Sequence, residues 1–252
     1  MITEARLNHG FTLVEMALVL LILGVLTRAA ISPLAAVHEH RNVQGTAREL
    51  DAIKDSLIAY VIAHGALPCP LSESGPVNLP VSGLNTPSSA LVDKASDCGI
   101  ERGGVPAKIL GLAGRLNDKG ALVDLWNRPY LYSVSLSNNS ERGNQSVADW
   151  TQAGEAAQVG VPYLSADIVI CMRMLPSDCS GSDIRANQVA FLVMSHGLDN
   201  SDAGAQRENL DNDQVFLLQA PSQVAENRFD DQLVWGTAAD TMYWMLRMGW
   251  LP

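Results

Sequence analysis

Apolar positions are distributed in three regimes along this chain. From Phe11 to Ile31 the sequence reads FTLVEMALVLLILGVLTRAAI, apolar on every side and interrupted by two charges, Glu15 and Arg28. About 21 such residues, rising about 1.5 Å each as a helix, suffice to cross a hydrocarbon core near 30 Å. The pattern therefore predicts a membrane-spanning helix over 11–31. Beyond Pro33 the period changes character. Leu50, Ile53, Leu57 and Val61 recur at helical spacing, with Arg48, Asp51, Lys54 and Asp55 between them, as on a helix with one buried face. Gly65 and Pro68 end it, so one long helix is expected over 11–64, with Pro33 and Gly45 as places where it could bend.

The third regime has period two. After a Pro-, Gly- and Ser-rich stretch, Tyr130, Tyr132, Val134 and Leu136 alternate with polar residues and predict a half-buried strand. Short branched or aromatic runs at Ile168–Met172, Val189–Met194 and Val215–Leu218 predict three more. Residues 65–120 read as a connection and 137–160 as a polar surface excursion. Met242, Trp244, Met245, Leu246, Met248 and Trp250 predict a short closing helix. One long helix on one antiparallel sheet is an α+β arrangement, with residues 65–252 forming a globular head.

Composition narrows what such a chain can do. At 252 residues and 47% hydrophobic content, it is long enough to bury a core. Its net charge of −10, without a basic run, offers no footprint for nucleic acid. Cys69, Cys98, Cys171 and Cys179 contain no C-x-x-C pair, which weakens zinc and dithiol readings. In an exported head they would form disulfides. Three connectivities are open, and the shortest loops come from pairing Cys69 with Cys98 and Cys171 with Cys179.

Glu15 is the anomaly of the apolar stretch. A carboxylate inside a membrane costs a few kcal/mol unless paired, so a partner is expected. Arg28, near the far end, can extend its stem to the interface. An ordinary secretory signal would be cut after the apolar stretch and would not carry an acid within it.

The run Gly10-Phe11-Thr12-Leu13-Val14-Glu15 resembles the cleavage and methylation signal of type IV prepilins and type II secretion pseudopilins. Gly24 and Pro33 also stand where that family commonly has a glycine and a proline. The resemblance implies a leader over 1–10, cut after Gly10 by a membrane prepilin peptidase, and N-methylation of Phe11. It also implies a partner for Glu15, the N-terminal amine of a neighbouring subunit, whose pairing sets the axial register. A single-pass inner-membrane protein with a periplasmic head is then expected, joining a filament through its helix with other subunits and an assembly platform.

Two head segments resemble the same family. Asp124-Leu125-Trp126-Asn127-Arg128-Pro129-Tyr130 is similar to the Asp-Pro-Trp-Gly-Asn-Pro-Tyr segment of the major pseudopilin, with Leu125 and Asn127 among its departures. Trp126 is expected to bury itself at a strand start. The segment from Ser195 to Asp213 resembles that protein's calcium loop, which implies a calcium ion held by Asp199, Asp202, Asp211 and Asp213. A solvated acidic loop with Asx turns explains the same residues. No nucleophile elbow, zinc-protease motif, P-loop or dinucleotide fingerprint occurs. Ser195 beside His196 is adjacency, not triad geometry. The reading is a structural subunit, not an enzyme. The competing classes are an adhesin-like head, displaying 137–160, and an anchored hydrolase.

Overall fold

The computed structural model describes residues 12–72, 98, 100–135, 149–152, 154, 156–157, 164–173, 179, 181–198, 206–211, 213–222 and 228–252, without the side chains of 28–36 and 206. Leu136, expected in the first strand, lies outside these residues. The chain divides into two compact units, Met1–Gln44 and Gly45–Pro252.

Helix α1 (Leu13–His64) belongs to both. It starts at Leu13, because Thr12 is its cap: the Thr12 hydroxyl accepts the Glu15 N–H at 3.2 Å. Pro33 has helical backbone. In the first unit, Leu13 is 92% exposed and Val14 78%, and the large apolar side chains on to Leu26 are exposed as well. No helix among the described residues is long and apolar enough to cross a membrane. The described side chains of the expected 11–31 span begin at Thr12 and end at Thr27.

In the second unit α1 is amphipathic, as its spacing predicts. Leu50, Ile53, Leu57 and Val61 are buried against Tyr130, Tyr132, Val134 and Val193. Burying each aliphatic side chain is worth about 1.5–3 kcal/mol, so this one stripe is enough to hold the helix to the sheet. Gly45 lets Leu125 lie directly on the helix, since a Cβ there would overlap the Leu125 methyl. The helix ends at Gly65, whose φ of 68° is a left-handed conformation suited to glycine. The Trp250 ring covers Gly65 and donates its indole N–H to the Ile62 carbonyl at 3.0 Å.

The sheet contains β1 (Arg102–Gly104), β2 (Leu131–Val134), β3 (Ile168–Cys171), β4 (Ile184–Ser195), β5 (Val215–Leu217) and β6 (Gln232–Thr237). Its path is β1-β2-β4-β3-β5, and β6 also pairs with β4. All pairs are antiparallel except β3 with β5, which are parallel, with Ile170 opposite Phe216. The expected all-antiparallel sheet is corrected in this one pair. A second core of Ile168, Ile170, Leu192, Met194, Phe216 and Leu233 is built from strands alone, so the sheet curls over its own second face. That is why Ser133 and Ser135 are buried along with Tyr132 and Val134, and β2 is covered on both faces where one buried face was expected.

The four predicted strands occur as β2, β3, β4 and β5, whereas β1 and β6 fall in segments without a strand pattern. Arg102-Gly103-Gly104 is a strand through pairing with β2, not through propensity. The 137–160 segment is not all surface. Trp150 is 2% exposed and donates its indole N–H to the Ser165 carbonyl, while Leu67 donates its amide to the Trp150 carbonyl. Helix α2 (Gln206–Leu210) precedes β5. The closing helix is α3 (Ala238–Arg247), which starts at a capping box between Thr237 and Asp240.

Cysteines pair sequentially, Cys69 with Cys98 (Cα–Cα 5.4 Å) and Cys171 with Cys179 (6.0 Å). The partners lie 29 and 8 residues apart, so chain entropy assigns the larger effect to the first bond. Chemical denaturation should show the Cys69→Ser/Cys98→Ser variant losing about 3–4 kcal/mol and the Cys171→Ser/Cys179→Ser variant about 2–3 kcal/mol. A larger loss from the second pair would contradict this ordering.

Candidate functional site

The N-terminal site rests on α1. Glu15 is the third helical residue after the Thr12 cap, in the Thr-x-x-Glu pattern of a capping box. A carboxylate in a first turn is favoured by the helix dipole. Glu15 is exposed and is the one charged side chain among residues 12–27. Around it Leu13, Val14, Met16, Leu18 and Val19 leave the helix no polar side. A contiguous apolar surface of this kind needs lipid or protein to cover it. The expected cut pair, Gly10 and Phe11, lies outside the described residues.

In the head, chemistry concentrates on Asp124. This residue is fully buried, and its Oδ1 accepts the amides of Trp126 and Arg128, each at 2.9 Å. Its Oδ2 accepts the Ser195 hydroxyl at 2.6 Å, and its main-chain carbonyl takes the Arg115 guanidinium. One carboxylate thus closes the 124–128 turn and ties it to the end of β4. The departures from the pseudopilin-like segment become intelligible here. Asn127 has φ 66°, a left-handed conformation that glycine or asparagine supplies, and Leu125 fills the space opened by Gly45. Trp126 is only partly buried, against expectation, because the turn directs it outward while Asp124 goes in. Tyr130 donates to Glu49 of α1 at 2.6 Å, and burial together with that carboxylate raises its phenol well above the usual range.

Ser195 and His196 serve different partners. The buried Ser195 hydroxyl is engaged with Asp124, whereas His196 Nδ1 faces Asp231 at 4.0 Å. Burial, then Arg102 and Arg128, push the imidazole down to about 4, so it is neutral at physiological pH. The Ser195–Asp124 bond pins two turns together, while the imidazole beside it faces a different carboxylate.

Of the four expected calcium ligands, Asp199 and Asp202 lie outside the described residues. Asp211 and Asp213 come together with Glu208, their carboxylate oxygens all within 4.8 Å of one another. Glu208 was not legible as a member, because only the α2 turn brings it round. Burial, then the two neighbouring aspartates, raises its pKa.

The model of a family described as the prokaryotic N-terminal methylation motif matches residues 5–27. No curated protein and no solved structure matches the chain.

Proposed function

We propose that this chain, whose methylation motif supports membership of the type IV pilin and pseudopilin family, is a minor subunit of an inner-membrane-anchored filament. The motif supports a pilin or pseudopilin subunit processed by prepilin peptidase. The observation that carries the finer reading is the apolar surface of α1 with Glu15 as its one acid, immediately after the Gly10–Phe11 pair. Before assembly, residues 11–31 sit in the membrane and the disulfide-bonded head in an oxidising periplasm. Cleavage after Gly10 leaves a cationic amine on Phe11, which is methylated. In the filament that amine meets Glu15 of an adjacent subunit, and the apolar faces of neighbouring helices replace lipid. Mis-registered subunits leave a charge buried and unpaired, so neutralisation selects the register. The head, larger than a shaft subunit needs, favours a minor position. No residue acts as a catalyst in this reading.

Mass spectrometry of the mature chain tests it. The N-terminus should be methylated Phe11, and Gly10→Leu should accumulate uncleaved, because the peptidase must fit a small residue before the cut. A mature chain beginning after Leu26 would sink the pilin reading.

A further inference from the structure

The acidic turn that would take calcium already holds a cation. Arg102 of β1 donates through Nη1 to the carbonyls of Asp211 and Asp213 (3.0 Å to the latter) and through Nη2 to that of Asn209 at 3.0 Å. Its guanidinium lies over the Phe216 ring, 4.7 Å from the centroid. Calcium takes six to eight oxygens, main-chain carbonyls among them. Here three carbonyls of the turn face a guanidinium. One oxygen of Asp211 accepts the Asp213 amide, and one of Asp213 accepts the Val215 amide. An ion placed among these groups would have to displace those bonds and face a fixed positive charge.

We infer that Arg102 is the built-in cation of the 206–213 turn, standing in place of a metal ion and making the head's stability independent of calcium. The position of Arg102 gives this substitution a structural purpose. Strands β1 and β5 stand at opposite ends of the sheet path, yet the Arg102 side chain of β1 reaches the Phe216 ring of β5. No backbone pairing joins them; side chains do. Arg102 reaches the carbonyls ahead of β5, and Gln214 donates to Glu101 at 2.7 Å while accepting from Ser133 at 3.0 Å. On the far side of β5, the Asn209 amide bonds both the N–H and the C=O of Leu217, as a neighbouring strand would. A guanidinium fork fits this junction better than a spherical ion, because it is planar, always charged and tethered to β1.

The test is thermal melting and calorimetric titration of the full-length protein in detergent, with calcium chloride, with magnesium chloride at equal ionic strength, and with EDTA. The parent melt should be the same in all three, with no calcium heat up to millimolar concentration. Arg102→Ala should melt about 5–10 °C lower, the scale for losing a charged hydrogen-bond centre from a unit of this size. Calcium should recover part of that loss and magnesium should not, since the emptied carbonyls and carboxylates suit the larger ion. Arg102→Lys, which keeps the charge without the fork, should fall between and stay insensitive to calcium. Should Arg102→Ala fail to fold, the parent and Arg102→Lys decide the matter. A parent melt raised by calcium or lowered by EDTA would overturn the inference. So would an Arg102→Ala protein that folds, melts low and ignores calcium.

Discussion

A Glu15→Gln subunit should be stable, cleaved after Gly10 and absent from filaments. Glutamine serves at the third position of a capping box as glutamate does, so the Thr12 cap and the start of α1 should persist. The cut site is unchanged, and an amide is cheaper to bury than a carboxylate, so membrane insertion should improve slightly. In the proposed filament, what disappears is the counter-charge for the amine of a neighbouring Phe11. Leaving one partner of a buried ion pair alone costs about 3–5 kcal/mol, which corresponds to a fall in incorporation of about 100-fold or more. Quantifying the subunit in sheared filaments against its membrane pool measures this. A Glu15→Gln protein incorporated as well as the parent would withdraw the register role and leave Glu15 as a helix-start residue.

An Asp124→Ala head should lose about 3–5 kcal/mol, the range for removing a buried hydrogen-bonded charge. Two amides of the 124–128 turn and the Ser195 hydroxyl would be left inside without acceptors. For a unit of this size that is a melting-temperature drop of about 10 °C. The damage should spread, because the turn carries Leu125 onto α1 at Gly45 and Tyr130 onto Glu49. Asp124→Asn keeps an oxygen for the two amides and should lose about half as much, which separates hydrogen bonding from charge. An alanine variant melting within about 2 °C of the parent would show that the neighbouring cores, not this carboxylate, hold the turn.

Local periodicity was enough for the elements whose burial has one dominant direction. Leu50, Ile53, Leu57 and Val61 share a face at helical spacing wherever the helix is placed, and they are the face that is buried. The Gly10-to-Glu15 signal was likewise readable in place, because a peptidase reads contiguous residues. Runs such as Ile168–Cys171 declare a strand by their branched side chains. Disulfide pairing was narrowed by loop length to a choice that the fold realises.

The remaining features depend on distance in space. Asp124 and Ser195 are 71 positions apart, and Arg102 meets the carbonyls of 209–213 more than 100 positions away. Each meeting follows from strand register: Leu131 opposite Met194 sets the 124–128 turn beside the end of β4. Strand β6 has no pattern of its own because pairing to β4, not side-chain alternation, creates it. The curl that buries both faces of β2 is a property of the assembled sheet, visible in no single strand. Hydrophobic period is encoded within a few residues and survives any register. Which polar groups find each other is encoded only in the register itself, so the helix, the strands β2 to β5 and the methylation motif could be read from the sequence, while β1, β6, the Asp124 centre and the Arg102 junction were decided by the tertiary structure.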